Sequence, residues 1–247
     1  MKLDLLKVDS NLNIKFDVDK DFVINLILQR TSNYLNLGGA PYLQEWFNNG
    51  NRDILLKLFH EKDKFDKFMH QCLNEIYKDY LTIQKYLIKE TEYICSIGPG
   101  NCIFELFLLK NLIIKKILLI DIEQTNDNYH GFQNQGSGYA NLESSKRFLI
   151  SNGINPESID TCNPLKENMP NFKFDILISI ISMGFHYPCD QYAKWININC
   201  KNNGLILFDK RKKVIDDGFE LLKNTFSIKE QLEYKKHHRI ILSKKVN

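Results

Sequence analysis

The chain has 247 residues, which is enough for one large α/β domain or for an ordinary domain that carries a helical extension. Its hydrophobic fraction of 43% and charged fraction of 26% are typical of a folded globular protein, and no run of about 18 apolar residues is present to cross a bilayer. The formal charge of +3 is too small to indicate nucleic acid as a partner, although the stretch from Lys210 to Lys245 is basic.

The first 90 residues show the pattern of a helical segment. Between Arg52 and Leu87, apolar residues recur every three or four positions among lysines and acids, which indicates amphipathic helices. The paired glycines and the proline of Leu37 to Tyr42 predict a turn before them. We expect residues 1–90 to form a helical cap or a lid over a substrate. The N-terminus lacks the apolar core of a signal peptide, which favours a cytoplasmic protein.

From Glu92 the pattern changes to short apolar runs that alternate with helical stretches, which is typical of βαβ units around a parallel sheet. We therefore expect residues 91–247 to form a Rossmann-like α/β domain that ends in an antiparallel hairpin. The predicted strands are Tyr93 to Ile97, Ile117 to Ile120, Ser158 to Thr161, Phe174 to Ile181, Gly204 to Phe208, Ile228 to Tyr234 and Arg239 to Ser243. The predicted helices are Ile103 to Lys110, Asn141 to Asn152, Tyr192 to Cys200 and Asp216 to Asn224.

The six cysteines are irregularly spaced and form neither a CxxC motif nor a cluster with histidine. This spacing argues against a zinc site and against a disulfide framework, so we expect reduced thiols and no bound metal. The cysteines are Cys72, Cys95, Cys102, Cys162, Cys189 and Cys200.

Two turns that follow predicted strands point to a nucleoside ligand. In an open parallel sheet, ligands bind beyond the carboxyl ends of the strands. The first strand is followed by Gly98-Pro99-Gly100, where glycines allow a tight turn and a close approach to a ligand. The second strand ends at Asp121, whose carboxylate can accept hydrogen bonds from two ribose hydroxyls. This spacing alone fits either a nicotinamide dinucleotide or S-adenosylmethionine.

Four segments together resemble the motifs of the class I S-adenosylmethionine-dependent methyltransferases. They are Tyr93 to Cys102, Leu118 to Ile122, Phe174 to Ser179 and Asn203 to Phe208, and the resemblance covers about residues 91–247. It implies that S-adenosylmethionine lies on the glycine turn and that Asp121 holds its ribose. The cofactor contacts that it implies are Ser96, Ile97, Gly98, Pro99, Gly100, Asp121, Ile122, Asn163 and Ser179.

Two residues depart from the family pattern. Ser96 replaces the acid that usually ends the first strand, and a neutral hydroxyl binds an ammonium group more weakly than a carboxylate does. Glu105, Glu123 or an acid of the N-terminal segment could compensate. Cys102 replaces the third glycine, which counts against a dinucleotide and its GxGxxG turn. Ser96 also leaves open an alternative, a cofactor-binding or partner-binding module that has lost catalysis.

The segment after the fourth strand, Ser179 to Pro188, falls where methyl acceptors meet the cofactor in this fold. A histidine has an unperturbed pKa of about 6.5 and can accept the proton of a hydroxyl near neutral pH. We predict His186 as this base, with a hydrogen bond that only orders the loop as the alternative. Tyr187 is predicted to orient the acceptor, or simply to pack.

The acceptor is predicted to be a small polar molecule. After the fifth strand, Arg211 and Lys210 are suited to an anionic group, while Asp209 could be a second base. The long polar loop after Asp121 adds His130 and Tyr139 as predicted substrate contacts.

The chain resembles, more distantly, the sugar O-methyltransferases of bacterial surface-polysaccharide pathways. That resemblance implies transfer to an oxygen of a sugar, phosphorylated or nucleotide-linked metabolite, with neither nucleic acid nor a membrane as partner. The oligomeric state is left open, a homodimer included.

Overall fold

The computed structural model describes residues 2–9, 12–87, 91–123, 133 and 138–245. In chain order, its strands and helices are β1 (Lys2–Asp9), β2 (Leu12–Asp17), α1 (Lys20–Gln29), α2 (Thr31–Asn36), α3 (Ala40–Asn49), α4 (Lys62–Ile83), β3 (Tyr93–Ile97), α5 (Ile103–Asn111), β4 (Lys116–Ile120), α6 (Leu142–Ser151), β5 (Ile159–Cys162), β6 (Phe174–Ser179), β7 (Ser182–Tyr187), α7 (Asp190–Asn199), β8 (Cys200–Arg211), α8 (Asp217–Thr225), β9 (Phe226–Glu233) and β10 (His237–Lys244). Short 3-10 segments lie at Arg52–His60, Gln84–Tyr86 and Pro156–Ser158.

The chain divides into two compact units that interleave in sequence. Unit 1 consists of Met1–Leu87, Gly100–Asn111 and Tyr139–Pro156, and unit 2 consists of Ile88–Pro99, Leu112–Gly138 and Glu157–Asn247. The predicted division at residue 90 is a different partition of the chain and stays a prediction.

Unit 1 is mainly helical and also contains a two-stranded antiparallel sheet, β1 and β2. Phe148 of α6 packs against Phe16 of β2 and Phe22 of α1, with ring centroids 5.3 and 5.0 Å apart. Asn152 exchanges two hydrogen bonds with the backbone of Lys15, which fastens the end of α6 to β2. Helices occupy much of the first 90 residues, but α3 already begins at Ala40, inside the predicted turn, Arg52–His60 is a 3-10 segment, and the β1–β2 pair was not predicted.

Unit 2 contains a seven-stranded mixed sheet with the order β5-β4-β3-β6-β8-β10-β9. The first five of these strands are parallel, and β10 is antiparallel to both β8 and β9. From β3 the chain continues outward through β4 to β5, and it then returns to the other side of β3 with β6 and β8. The order therefore reverses between β3 and β6, which is the switch point where open α/β sheets bind ligands.

One face of this sheet packs on α7 and α8. The core there joins Ile97 and Leu118 of the central strands with Ile196 of α7 and Leu222 of α8, all at most 1% exposed. Asp216 caps α8 and accepts hydrogen bonds from the backbone N–H groups of Phe219 and Cys189, so the starts of both helices are fixed to each other. This packing holds the carboxyl ends of β3, β6 and β8 in a defined order.

The predicted fold class, a Rossmann-like parallel sheet with an antiparallel hairpin at its end, is confirmed. One detail differs from the prediction. The strand predicted to run to Ile181 ends at Ser179, and a separate strand, β7, follows it. Within the hairpin, β10 lies between β8 and β9 and pairs with both.

Among the residues that the structure describes, no helix combines the length and the apolar character needed to cross a membrane.

Candidate functional site

The glycine turn after β3 has an unusual backbone. Gly98 and Gly100 have φ angles of 68° and 56°, in the left-handed region that glycine adopts without a steric cost. Cys102 follows with φ of 57° and a fully buried side chain. A glycine at residue 102 would avoid the strain of this conformation, which explains in physical terms why the related motif carries one there.

In unit 2, the turn is connected to the neighbouring strand β4 and to the segment after β6. The N–H of Gly98 donates to Ile120 O at 2.8 Å. A Cβ at Gly98 would lie 1.8 Å from Oγ and 2.5 Å from Cβ of Ser182. Ser182 Oγ in turn lies 3.0 Å from Tyr187 Oη. Ser182, which was not predicted as a site residue, is therefore the side chain that a Cβ at Gly98 would meet first.

Ser179 joins the ends of β3 and β6 at the switch point. Its buried hydroxyl donates to Ile97 O at 2.9 Å and accepts the N–H of Met183 at 2.9 Å. Ser96, one residue before Ile97 on β3, is 1% exposed. Both serines, predicted as cofactor contacts, thus lie at or near the carboxyl end of their strand, and the Ser179 hydroxyl fixes the backbone of the next segment.

Asp121 and Asn163 directly follow the neighbouring strands β4 and β5. The carboxylate of Asp121 accepts the N–H of Glu123 at 3.2 Å, which closes a tight turn through Ile122. Asn163 Nδ2 donates to Ile122 O at 3.1 Å and to the Glu123 carboxylate at 2.7 Å, and its Oδ1 accepts the N–H of Leu165. The amide of Asn163 therefore holds the turn that follows Asp121.

The carboxylate of Glu123 is bound by two neighbouring side chains. It forms an ion pair with Lys166 at 2.8 Å, in addition to its bond with Asn163. Glu123 is one of the acids expected to compensate for Ser96, and in the structure its carboxylate also holds Asn163 and Lys166.

Unit 1 contains the second half of the glycine turn. The side chain of Gln29, at the end of α1, lies against Gly100, where a Cβ would come 2.7 Å from Nε2. Gln29 Nε2 donates to Tyr139 O at 2.5 Å, and Asn101 Nδ2 donates to Phe22 O at 2.7 Å. Ser145 Oγ of α6 donates to Gly100 O at 2.7 Å. Within this unit the backbone at Gly100 is thus fixed by α1 and α6.

The two residues predicted as catalytic lie on β7 in different environments. His186 is partly exposed, its ring stands edge-on to Phe185 at 4.9 Å, and its carbonyl accepts the N–H of Gln133. Tyr187 is buried beside Tyr192, and burial raises its pKa well above the ordinary value. A phenol that keeps its proton in this way is a hydrogen-bond donor rather than a base.

Lys210 and Arg211, the two basic residues predicted to contact the substrate, lie at the end of β8 in different environments. Lys210 Nζ donates to Val214 O at 2.9 Å. The guanidinium of Arg211 lies 5.1 Å above the Phe185 ring, and its buried Nη1 has no hydrogen-bond partner among the residues that the structure describes. Of the two residues, Arg211 is therefore the one with a hydrogen-bonding nitrogen left over among the described residues.

Asp209, considered above as a second base, is fully buried and ion-paired. Its Oδ1 lies 2.8 Å from Nε of Arg239, and its Oδ2 accepts from Nη2 of Arg239 at 3.0 Å and from the N–H of Ile181 at 3.1 Å. The partner arginine lies directly opposite on β10. Arg239 was not identified from the sequence, because only the register of β8 and β10 brings the two residues together.

In unit 2 the structure thus gathers Ser96, Ile97, Gly98, Pro99, Asp121, Ile122, Asn163 and Ser179 at or near the carboxyl ends of β3 to β6. Tyr139 belongs to unit 1 and is buried there. His130 lies outside the described residues. The roles assigned to all these residues stay predictions.

Comparison with known proteins gives matches at the level of structure. No protein-family model matches the chain, and no curated protein matches it. A ribosomal protein L11 methylase from Lactobacillus delbrueckii subsp. bulgaricus is similar, with a TM-score of 0.51 and 15% identity, over 70% of this chain and 80% of its own. StiE O-MT matches with a TM-score of 0.56 and 9% identity, over 77% and 81%. A methyltransferase from Pyrococcus furiosus matches with a TM-score of 0.50 and 14% identity, over 69% and 83%.

At these identities the similarity concerns the fold. It confirms, at that level, the resemblance inferred from the four sequence motifs. The chain therefore has the fold of the class I S-adenosylmethionine-dependent methyltransferases.

Proposed function

We propose that this protein transfers a methyl group from S-adenosylmethionine to an oxygen atom of a small polar acceptor. The observation that carries the proposal is the switch point between β3 and β6. There Gly98 presents a bare backbone at positive φ, and Asp121 directly follows the neighbouring strand β4. A carboxylate at that edge can accept hydrogen bonds from both ribose hydroxyls, so these residues fit the cofactor.

Bound S-adenosylmethionine would supply a methyl group on a sulfonium, which an acceptor oxygen displaces in line. The chain has to align the acceptor and remove the proton of its hydroxyl. His186 is the proposed base, because it follows the switch point on β7 and its side chain is partly exposed. The oxygen–methyl bond forms as the sulfur–methyl bond breaks, and the hydroxyl proton passes to the imidazole of His186.

Tyr187 has a different proposed role. Because its hydroxyl is buried against Ser182, it orients the β7 segment on which His186 lies. Asn163 is likewise proposed to act on the cofactor through the Ile122–Glu123 turn, whose backbone and side chain its amide holds.

The acceptor is proposed to carry an anionic group, as a sugar phosphate or a nucleotide-linked sugar does. Arg211 supports this choice, since a buried guanidinium nitrogen without a partner among the described residues can bind a phosphate oxygen. Phe185 beneath the guanidinium holds its plane in place.

Calorimetry with S-adenosylmethionine and S-adenosylhomocysteine tests the cofactor. We expect binding in the micromolar range, and Asp121→Ala should weaken it by about 1.5–3 kcal/mol through the loss of hydrogen bonds to a charged group. Absence of binding of either compound at millimolar concentration would reject the proposal.

Methyl transfer is tested with radiolabelled S-adenosylmethionine and a panel of sugars, sugar phosphates and nucleotide sugars. His186→Ala should lower turnover and leave cofactor affinity unchanged. Arg211→Gln should raise KM for phosphorylated acceptors, whereas Lys213→Gln, at an exposed lysine of the same loop, should not. Equal loss of cofactor affinity and turnover in His186→Ala would mark the histidine as structural.

A non-catalytic binding module is the second candidate. It is favoured by Ser96, which is buried on β3 and offers no carboxylate to the cofactor's ammonium group. Tight cofactor binding without methyl transfer to any component of a cell extract would support this candidate over the enzyme.

A further inference from the structure

The ion pair of Asp209 and Arg239 lies inside unit 2, and both side chains are fully buried. Two parallel hydrogen bonds of 2.8 and 3.0 Å join the carboxylate to the guanidinium across β8 and β10. A buried pair of this kind is weak evidence for stability, because apolar residues of similar volume often stabilise a fold as well or better. The role of the pair is therefore better inferred from its contacts with the surrounding chain than from a contribution to stability.

The pair also binds a strained turn. Asp209 Oδ2 accepts the N–H of Ile181 at 3.1 Å, and Ile181 has a φ angle of 51°. A β-branched residue in the left-handed region is strained and persists only where its surroundings hold it. Ile181 lies between β6 and β7, immediately after the switch point. Asp209 thus accepts a hydrogen bond from the backbone N–H of Ile181, whose left-handed conformation a β-branched residue disfavours.

Ser182, the residue after Ile181, packs against the glycine turn at Gly98. Ser179 Oγ holds the N–H of Met183 on one side of the Ile181–Ser182 turn, and Asp209 holds Ile181 on the other. Between these two anchors, the Ser182 side chain packs on Gly98 and bonds with Tyr187. Movement of Ile181 would therefore move Ser182 relative to the residue predicted to lie under the cofactor.

Further groups pack around the carboxylate. His237 Nε2 lies 3.5 Å from Asp209 Oδ1, and its ring stacks on Tyr234 at 4.6 Å. The guanidinium of Arg239 lies 5.0 Å from the centre of the Tyr234 ring. With both oxygens of Asp209 already accepting hydrogen bonds, its carboxylate is engaged with the protein itself.

We propose that Asp209 is a positioning residue that holds the Ile181–Ser182 turn against Gly98 and thereby sets the affinity of the cofactor site. This proposal rests on the proposed function for the identity of the ligand. The mechanical part, that Asp209 holds the turn through the Ile181 N–H, is independent of any ligand. Asp209 then acts on the reaction through the turn, and not as a second base.

Two double variants separate positioning from the burial of charge. Asp209→Asn/Arg239→Met removes both charges and keeps a side-chain oxygen for the Ile181 N–H. Asp209→Leu/Arg239→Met removes both charges and that oxygen, while leucine keeps the number and branching of the side-chain heavy atoms of aspartate. The control, Lys116→Ala/Asp160→Ala, removes an ion pair of 2.9 Å between β4 and β5 whose side chains are about two-fifths exposed.

Amide hydrogen exchange of the peptide spanning residues 180–187 is measured for each folded variant, with a peptide from α7 as the internal reference. The affinity for S-adenosylmethionine is measured by calorimetry. The Leu variant should exchange about tenfold faster in residues 180–187 than wild type, as expected for a locally loosened segment, and should bind the cofactor about five- to tenfold more weakly. The Asn variant and the control should stay within about twofold of wild type in both measurements.

Exchange and affinity in the Leu variant that match the wild-type protein would overturn the proposal. Should the Leu variant not fold, the Asn variant decides: faster exchange of residues 180–187 despite the retained oxygen would also overturn it, and wild-type exchange would support it. If the wild-type protein binds no S-adenosylmethionine, the proposed function fails, while the exchange data still decide whether Asp209 holds the turn.

Discussion

Ser182 lies so close to Gly98 that a methyl group at residue 98 would come within 1.8 Å of its Oγ and 2.5 Å of its Cβ. The second distance matters more than the first, because a rotation about χ1 moves the hydroxyl and leaves Cβ in place. The two residues belong to different strand ends on either side of the switch point, so their packing couples the glycine turn to the segment that carries His186.

Gly98→Ala should therefore lower the free energy of unfolding by about 2–4 kcal/mol, from the steric clash and from the φ of 68°, which disfavours an L-residue. Urea denaturation measures the change. Ser182→Gly in the same chain removes both clashing atoms and should restore about half of the loss, since the backbone strain remains. A double variant no more stable than Gly98→Ala alone would show that Ser182 is not the obstacle.

Gly100→Ala should cost less than Gly98→Ala. Its nearest atoms are the end of the flexible Gln29 side chain, which can swing away at the loss of its hydrogen bond to Tyr139 O. We expect a loss of about 1–2 kcal/mol in the free energy of unfolding, and a smaller one when Gln29→Ala is already present. Equal costs in both backgrounds would mean that Gln29 does not limit the space at residue 100.

Asn163→Ala should destabilise the protein and weaken cofactor binding together. The change deletes the bonds to Ile122, Glu123 and Leu165, which we expect to cost about 1–3 kcal/mol because the groups left behind are partly buried. Asn171→Ala, at an exposed asparagine, is the control and should change neither quantity. The free energy of unfolding and the dissociation constant of S-adenosylmethionine are measured in parallel. Unchanged affinity would separate Asn163 from the cofactor site.

Alkaline pH should destabilise the protein through Tyr187. Burial raises its pKa in the folded state well above the ordinary value of 10.0, and burial raises that of Tyr192 as well. Below pH 10 both states keep the proton, so the stability is fully present. Above it, the unfolded chain releases the proton while the folded chain does not, and stability falls as the pH rises.

Urea denaturation between about pH 9 and pH 11 should show this slope, and Tyr187→Phe should make it shallower because one of the groups is absent. Tyr42→Phe, at a partly exposed tyrosine of unit 1, is the matched control. An identical slope in Tyr187→Phe and wild type would contradict the prediction.

Local patterns predicted the parallel strands because they are short apolar runs buried on both faces, as Leu118 to Ile120 illustrate. The glycine turn and Asp121 were visible for the same reason, since each directly follows such a run. Three strands were missed, namely β1, β2 and β7. In β7, polar or small residues at 182, 184 and 186 alternate with Met183, Phe185 and Tyr187, a period of two that a strand requires. In β2, buried Ile14 and Phe16 alternate with exposed Lys15 and Asp17 in the same way.

The contacts that determine the site were not accessible from local patterns. Asp209 and Arg239 are 30 residues apart and meet only because of the register between β8 and β10. The left-handed backbone of Ile181 likewise has no signature in a sequence that favours an extended chain. Long-range register and strained turns depend on the whole sheet, so the residues that hold a site in place are harder to predict than those that follow a strand directly.

The position of β10 between β8 and β9 has a consequence for synthesis. As the chain leaves the ribosome, β9 emerges before the strand that it pairs with, and Asp209 emerges before the arginine that neutralises it. Until residues 237–244 are available, the sheet has an open hydrogen-bonding edge along β8 and a carboxylate that cannot be buried at low cost. The part of the sheet formed by β8, β10 and β9, which contains the Asp209–Arg239 pair, can therefore become fully native only after β10 has left the exit tunnel.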